Sequence, residues 1–447
     1  MLGWVKRLFG GRDRAASGSA HAAPTKTASA ASAVTRHRGA PAAEPPTAPG
    51  FGALRPLVTA DGGIAGFEFR LAAPMHADGD PVARAAHAIA LLSTMRSTVE
   101  SGRIALASLP MATLERPAVV ASAARGTMIA IEEMGEGAAM TPAECGAVVD
   151  RLRAQGVAVG LPAARAGSGV RFDFLTLNAA LGGVEALLEL AQSCRLARPG
   201  VKLVATGFES IDDLEQALRV GVSLVSGRFD AMRSTSRPRP LQPGVQRICQ
   251  LLNDLGADQD TARIAQDIRA DVPVTYRLLR YVNSPALGLS HSIDSIPQAV
   301  MLLGRNELYR WLSVTLLSSA HGRPASQALQ EISLARARLL EILAREHGRD
   351  PPEALFTVGL LSVMDVMLQM PLAEALQPLR LGEAARSALL EGRGEWHDYL
   401  ALAIDLERHD LDAAAGLAAR FGGLPHVLEC AEEAWRWAHA VQGAAQA

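Results

Sequence analysis

Acidic side chains occur at the ends of three short apolar runs in the first half of the chain, where they could bind metal ions. The runs are GFEFR, IEEMGEG and VATGFES, and the acids are Glu68, Glu133 and Glu209. Carboxylates gathered at strand ends are ligands of two-metal hydrolytic sites. A fourth run, VGLPAARAG, offers only Pro162, Ala163 and Ala164 where such a strand end presents its metal-binding carboxylates. The pattern therefore predicts an incomplete site.

Two His-Asp dipeptides are a second kind of metal-ligand candidate, because imidazole and carboxylate both suit divalent metals. They are His397-Asp398 and His409-Asp410, in polar helical segments near the C-terminus. Adjacent residues on a helix point about 100° apart, so the two members of each pair do not face one ion. We interpret both dipeptides as residues of exposed helix faces.

The composition narrows the class of protein. The chain has 447 residues, of which 49% are hydrophobic, and this suffices for two or three domains with real cores. A formal net charge of −2 excludes a globally basic surface for wrapping nucleic acid, so we expect no direct nucleic-acid binding. Nothing in the sequence indicates a cofactor.

The cysteines bear on the cellular compartment. They are Cys145, Cys194, Cys249 and Cys430, and they form neither CxxC pairs nor a zinc-type spacing. Unbridged thiols fit a reducing environment, so we expect a cytoplasmic protein. No uninterrupted apolar run approaches the roughly 20 residues of a membrane-spanning helix.

The N-terminal residues 1–50 are expected to be a flexible segment and linker. Residues 15–50 are dominated by Ala, Pro, Ser and Thr, which cannot build a core. The start, MLGWVKRLFGGR, mixes apolar and basic residues. It could form a short amphipathic turn that touches a membrane or a partner, although a frayed terminus is the favoured interpretation.

Residues 51–232 show short apolar runs that alternate with helical patterns, among them RIALASLP, TMIAIEEM and VKLVATGF. This alternation predicts a parallel α/β sheet or βα barrel. Ser210 with Asp213 marks the start of one helix, which is expected to stop near Gly221. In a βα barrel the functional groups lie at the carboxyl ends of the strands.

After a Pro- and Arg-rich hinge at 233–240, residues 241–447 are expected to be all-helical. Asp271 caps the segment VPVTYRLLRYVN, and Asn283-Ser284-Pro285 ends it. A further helix begins at a capping box in SIPQ and closes at Gly304.

The order and spacing of the segments in residues 51–232 resemble the EAL domain, a barrel that hydrolyses cyclic di-GMP in bacterial signalling. The resemblance rests on RPLVTADGGIAGFEF, IEEMGEG, VATGFES and VSGRFD, over roughly 180 residues. It implies a site in which carboxylates and an Asn hold divalent metals, with a Lys and further Glu residues around the attacking water.

Residue by residue, most of the implied ligand set is replaced. Glu68 stands at the signature Glu, one acid remains at Glu132 or Glu133, and Glu209 is retained. The replaced positions are Ala72 for the Arg, Ala107 for the Asn, Pro162-Ala163 for the Asp pair, Thr176 for the Lys, Asn178 for the next Asp, Thr206 for a Glu and Ser226 for the Gln. The resemblance thus implies a degenerate barrel in which Glu68, Glu133 and Glu209 are vestigial.

The helical half resembles the HDOD domain, a module of bacterial regulators related to metal-dependent HD phosphohydrolases. The matching stretches are IAQDIRADVPVTYRLLRYVNSPALGL, SIDSIPQAVMLLGRNELYRWLSV and LFTVGLLSVMDVMLQMPLAEAL. They place Asp271, Asn283, Ser284, Pro285 and Gly304 at motif positions. Where the HD family has its His-Asp pair, this chain has Ser362 and, close by, Asp365.

The favoured hypothesis is a non-enzymatic signal-transduction scaffold that acts on protein partners, in a cyclic di-GMP, motility or biofilm-related pathway. The alternative is a receptor that binds cyclic di-GMP without cutting it, with Arg70, Arg165 and Arg228 as candidate phosphate ligands. This binding is not favoured, because only 4% of residues are aromatic and stacking partners are few. A cyclic di-GMP phosphodiesterase is the third hypothesis, and the missing ligands argue against it.

Overall fold

The structure is a computed structural model that describes residues 52–71, 81–132, 142–233, 241–257, 259–284, 292–319, 323–349 and 352–446. The expectations for residues 1–50, for Glu133, for Pro285 and for residues 234–240 lie outside these ranges.

A closed barrel forms the first half of the described chain, with eight strands in chain order. The strands are β1 (Gly52–Val58), β2 (Ile64–Leu71), β3 (Ile104–Pro110), β4 (Met128–Glu132), β5 (Ala158–Pro162), β6 (Phe174–Asn178), β7 (Lys202–Phe208) and β8 (Leu224–Gly227). β1 is antiparallel to β2 and β8, and the other neighbours are parallel. The parallel strands bring their carboxyl ends to one rim, which we call the mouth.

Side chains alternate between the barrel interior and the outer helices, as the two-residue period of a strand requires. The interior is filled by a separate apolar cluster: Leu57, Leu106, Ala130, Phe174, Val204 and Leu224. Gly160 is needed for this packing, because a Cβ there would lie 2.1 Å from the Phe174 ring. The interior is therefore packed rather than open.

Six helices lie among the strands of the described barrel: α1 (Pro81–Glu100), α2 (Met111–Leu114), α3 (Pro117–Ser122), α4 (Pro142–Ala154), α5 (Ala179–Ala197) and α6 (Ile211–Arg219). The cap predicted for α6 is confirmed, because the backbone N–H of Asp213 donates to Ser210 Oγ at 3.3 Å. The chain turns beyond α6 at Gly221, whose φ is 92°.

The described chain after residue 240 is helical. Its helices are α7 (Pro243–Gly256), α8 (Thr261–Arg269), α9 (Val272–Val282), α10 (Ile296–Ser319), α11 (Ser326–Glu346), α12 (Pro352–Leu361), α13 (Met364–Leu368), α14 (Leu372–Leu376), α15 (Glu383–Arg386), α16 (Glu395–Arg408), α17 (Leu411–Ala418) and α18 (Leu424–Gln446). Asp271 caps α9 by accepting from the Val274 N–H at 3.0 Å. Gly304, with φ 71°, breaks α10 where the sequence predicts a helix end.

The helical half packs directly against the barrel. α16 and α18 contact β1, and α11 contacts β2. Phe67 of β2 meets Trp435 of α18 edge to face, with ring centroids 5.0 Å apart. Both rings belong to one apolar cluster that continues from the outer face of the barrel into the helices. The interface is thus part of the hydrophobic core.

The predicted fold class, an EAL-like βα barrel followed by an all-helical region, is confirmed by this architecture. Within the described residues, none of the helices is both long and apolar enough to cross a membrane.

Candidate functional site at the mouth of the barrel

A cavity of about 480 Å³ opens at the mouth. Its polar lining comes from separate strand ends and consists of Arg70, Ser108, Glu132, Thr176, Asn178 and Thr206. Much of the remaining wall is apolar, and Leu181 and Leu190 of α5 are exposed there. Glu132 is the single carboxylate among the described residues that line this cavity.

Glu68 is held in the barrel wall rather than at the cavity surface. It is 1% exposed, and its carboxylate accepts hydrogen bonds from Ser226 Oγ at 2.7 Å and from Arg70 Nε at 3.2 Å. A buried carboxylate with a cationic partner and a hydroxyl donor is satisfied without a metal ion. Ser226, where the resemblance implies a Gln, therefore has a structural role.

The position on β3 that the resemblance gave to Ala107 needs correction. Ala107 is fully buried in the outer apolar layer, whereas its neighbour Ser108 lines the cavity. Because side chains alternate along a strand, a shift of one residue exchanges the two faces. The group that β3 contributes to the mouth is therefore a hydroxyl.

The ends of β5 and β6 carry no acid. Pro162 and Ala163 lead into a short 3-10 helix, and Thr176 lines the cavity. Asn178 caps α5, because its Oδ1 accepts from the Ala180 N–H at 3.0 Å. A Cβ at Gly207 would lie 2.4 Å from that oxygen, so the glycine leaves room for the cap. The described lining thus does not fit the ligand set of a two-metal centre.

Glu209 lies on the rim near β8. Its side chain is 76% exposed and pairs with Arg228 at 3.4 Å. Arg228 also pairs with Asp230 at 3.2 Å. Of the three arginines considered as phosphate ligands, only Arg70 lines the cavity. Arg165 is exposed on the 3-10 helix. Of the described acids and arginines considered, Arg70 and Glu132 therefore line the cavity, whereas Glu209 and Arg228 pair outside it.

The rim at β8 connects to helix α16. Asp230 accepts from Arg408 Nε at 2.9 Å as well as from Arg228. Burial alone would raise the pKa of Asp230, but the hydrogen bonds from Arg228 and Arg408 lower it below its usual value. The carboxylate is thus ionised and shared between the barrel and the helical half.

Arg55 of β1 makes a second contact to the same helix end. Its Nε donates to the carbonyl of Glu407 at 3.2 Å, and its Nη2 donates to the carbonyl of Arg408. These are the last carbonyls of α16, where a cation is favoured by the helix dipole. Although burial lowers the pKa of Arg55, an arginine stays charged at neutral pH.

Arg336 of α11 extends these contacts into the helical half. It binds Glu407 through Nε at 3.0 Å and Nη2 at 2.6 Å, and its Nη1 donates to Ser362 Oγ at 2.6 Å. Ser362 occupies the place where HD enzymes have their His-Asp pair, and burial raises the pKa of nearby Asp365. That place thus adjoins a polar network of five residues, in which Arg336 and Arg55 are buried and Arg408 is exposed: Arg55, Asp230, Arg336, Glu407 and Arg408.

A separate ion pair joins α6 of the barrel to the segment before α11. Arg323 donates from Nε to Glu215 at 3.1 Å and from Nη2 to Asp212, and both Arg323 and Glu215 are buried. Glu215 also accepts from the backbone N–H of Ala325 at 3.2 Å. Because Arg323 and Glu215 are both buried, each needs an opposite charge close by. Their pairing therefore holds the two halves in one orientation.

The two His-Asp dipeptides serve helix ends and packing. His409 is the αL residue that ends α16, with φ 59°, and Asp410 caps α17 by accepting from the Ala413 N–H at 3.1 Å. Asp398 pairs with Arg420. The predicted exposed faces are wrong for three of these residues, since His397, Asp398 and His409 are half-buried and only Asp410 is exposed.

Asn283 has a defined role among the HDOD motif positions. Its Nδ2 donates to the carbonyl of Ile293 at 2.8 Å, while its Oδ1 accepts from the Ile293 N–H at 2.7 Å. This pair of bonds joins the end of α9 to the approach of α10. The adjacent Ser284 hydroxyl is buried, without a hydrogen-bond partner among the described residues.

Residues 240–392 match the model of the HDOD domain family. The chain therefore joins an eight-stranded barrel to a helical half that contains an HDOD match, as the sequence motifs predict. The relatives include the uncharacterized protein YuxH of Bacillus subtilis, 30% identical over 243 residues that cover 54% of this chain and 59% of YuxH. The cyclic di-GMP phosphodiesterase CdgJ of Vibrio cholerae is 26% identical over 239 residues, which cover 53% of this chain and 55% of CdgJ. The matches thus span less than two thirds of each relative.

Among solved structures, an EAL domain protein from Listeria monocytogenes is similar with 13% identity and a TM-score of 0.31, covering 40% of this chain and 85% of that one. The EAL domain of Mycobacterium smegmatis DcpA has 14% identity and a TM-score of 0.32, covering 39% of this chain and 88% of that one.

Proposed function

We propose that the protein is a non-enzymatic signalling scaffold that acts by binding other proteins. The observation that carries the proposal is the lining of the mouth, where Glu132 is the only described carboxylate and the neighbouring strand ends hold Pro162, Thr176 and Asn178. Two divalent ions need several oxygen ligands to balance their charge and fix their geometry. A mouth with this lining lacks the means to activate water by metal coordination.

The pathway proposed for this scaffold is cyclic di-GMP signalling. It is supported by the similarity to CdgJ, which is named a cyclic di-GMP phosphodiesterase. A barrel that no longer cleaves the nucleotide still offers a folded platform, and its interface with the helical half fixes the orientation of the HDOD domain. The proposed role is therefore to present HDOD surfaces to partners.

The partner surface that we propose lies on α9 and α10. Four large apolar side chains are strongly exposed there: Val272 at 75%, Tyr276 at 65%, Met301 at 75% and Leu302 at 44%. Exposed apolar groups on neighbouring helices are typical of protein interaction sites. The Asn283 bonds to Ile293 hold the connection between these two helices.

The combined substitution Val272→Ser, Tyr276→Ser, Met301→Ser is expected to reduce partner capture at least about tenfold, since losing buried apolar anchors costs more than about 1.4 kcal/mol. The full-length chain is used as bait in lysate of the source cells, and retained proteins are quantified by mass spectrometry. The matched control is Leu196→Ser on α5, which removes an 83% exposed leucine from the barrel. A set of retained proteins that is unchanged by the triple substitution would contradict this surface assignment.

A further inference from the structure

Glu346, His426 and Cys430 come together at the junction of α11 and α18. Glu346 is the last residue of α11. His426 and Cys430 are four residues apart on α18, so their side chains share one face of that helix. Among the described residues, these are the only three His, Cys, Asp or Glu side chains grouped closely enough to hold one metal ion.

The distance between His426 and Cys430 fits a tetrahedral ion, and the distance between His426 and Glu346 is that of a hydrogen bond. His426 Nε2 lies 3.6 Å from Cys430 Sγ and 2.8 Å from Glu346 Oε2, and all three ligand atoms lie within 4.8 Å of one another. Zinc bonds of about 2.0 Å to nitrogen and about 2.3 Å to sulfur, at a tetrahedral angle, separate the two ligand atoms by about 3.5 Å. The histidine and cysteine therefore already stand at the separation that zinc requires.

The surroundings also favour a cation. Glu429 and Glu433 add negative charge around the Cys430 sulfur. The sulfur itself is buried, whereas Glu346 and His426 are partly exposed, so an ion has access from solvent. An exposed carboxylate can also move by the few tenths of an ångström that coordination needs.

We propose that Glu346, His426 and Cys430 form a binding site for a divalent transition metal, with Zn²⁺ as the expected ion. Imidazole and thiolate ligands select zinc over Mg²⁺ and Ca²⁺, which prefer oxygen. Cys430 binds as the thiolate and releases its proton to solvent, and the fourth position faces solvent. This site is independent of the proposed scaffold function.

Metal binding at this site ties α11 to α18, and the same two helices carry contacts to the barrel. Glu331 of α11 accepts from Arg103 at 2.5 Å, and Trp435 of α18 packs on Phe67. The ion therefore stabilises the pair of helices through which the HDOD half holds the barrel. Loss of the metal is expected to lower the melting temperature of the full chain.

The test is a Co²⁺ titration of the full-length chain, prepared without a histidine tag and kept reduced with a phosphine. Co²⁺ serves as the spectroscopic probe, because a thiolate ligand gives a charge-transfer band in the near ultraviolet. We expect one equivalent to produce this band and Zn²⁺ to displace it. Cys430→Ser is expected to abolish the band, whereas the control Cys194→Ser, another buried cysteine, leaves it unchanged.

His426→Gln and Glu346→Gln keep the thiol and change only partly exposed groups, so they remain informative if Cys430→Ser fails to fold. Each is expected to weaken Co²⁺ binding at least about tenfold, because loss of an outer-shell partner alone costs 10–100-fold. Absence of the thiolate band in the wild-type chain, its persistence in Cys430→Ser, or unchanged affinity in both of the other variants would overturn the proposal.

Discussion

Replacing Glu215 by alanine is expected to lower the free energy of unfolding by about 3 kcal/mol, because it leaves a buried charge with only the partly exposed Asp212 as its partner. The charge is that of Arg323, which is almost fully buried and donates to Glu215 at 3.1 Å. The same substitution removes the acceptor of the Ala325 N–H. Urea unfolding followed by circular dichroism measures the change.

Glu189→Ala is the matched control, since Glu189 is an exposed glutamate on α5 of the same barrel. Its effect should stay within about 0.5 kcal/mol. If Glu215→Ala were as mild as this control, the Arg323 bridge would not be holding the two halves together. If the substitution weakens the interface as expected, the two halves of the Glu215→Ala variant can unfold in separate transitions.

Replacing Arg336 by methionine is expected to lower the free energy of unfolding by about 3–5 kcal/mol. Arg336 is the most deeply buried arginine of the network between α11 and α16, and its two bonds to Glu407 are 3.0 and 2.6 Å long. The single substitution leaves the Glu407 carboxylate without its cation and Ser362 without its donor. Chemical denaturation of the variant beside wild type measures the loss.

The double substitution Arg336→Met, Glu407→Leu supplies the decisive comparison. Replacing both members of a buried ion pair by apolar residues is often neutral or stabilising, so most of the lost stability should return. Continued loss in the double variant would mean that Arg336 acts through Ser362 or Asp365 rather than through Glu407. If the single variant Arg336→Met were as stable as wild type, the pairing of Arg336 with Glu407 would not stabilise the fold.

The contacts of Glu215 with Arg323, and those at the end of α16, give the barrel a structural role that does not depend on metal ligands. Glu215 of the barrel is paired with Arg323 of the helical half, and Arg55 and Asp230 of the barrel bond to the end of α16. The barrel therefore helps to orient the helical half, including the surface that we propose as the partner site. This role uses the outer wall and rim of the barrel rather than its mouth.

Local features of the fold could be predicted from the sequence because their causes are local. Apolar runs of four to eight residues predict the strands, and side-chain caps at Ser210 and Asp271 predict helix starts that the hydrogen bonds confirm. Gly304 predicts a break in α10 because glycine tolerates a positive φ. The order of these elements predicts a parallel α/β sheet or barrel followed by helices, and the resemblance to the EAL domain selects the barrel.

Two kinds of feature were not predicted: the face of a strand on which a side chain lies, and contacts between residues that are distant in the sequence. The assignment of Ala107 failed because a shift of one residue reverses the face of a strand. Glu215 and Arg323 are 108 residues apart, so no local pattern pairs them. The zinc candidate had a detectable signal in His426-x-x-x-Cys430, but the sequence does not show that Glu346 ends a helix beside it.

The most direct test of the central claim is linearisation of cyclic di-GMP by the full-length chain with Mn²⁺ or Mg²⁺ present. Product is measured by chromatography over long incubation, with an active EAL phosphodiesterase as the positive control. We predict no product above the level of the buffer, because Glu132 is the one carboxylate among the described residues that line the mouth, and Glu68 is already bonded to Ser226 and Arg70. Turnover by the wild-type chain that disappears on Glu68→Ala would contradict the account and make the barrel an enzyme.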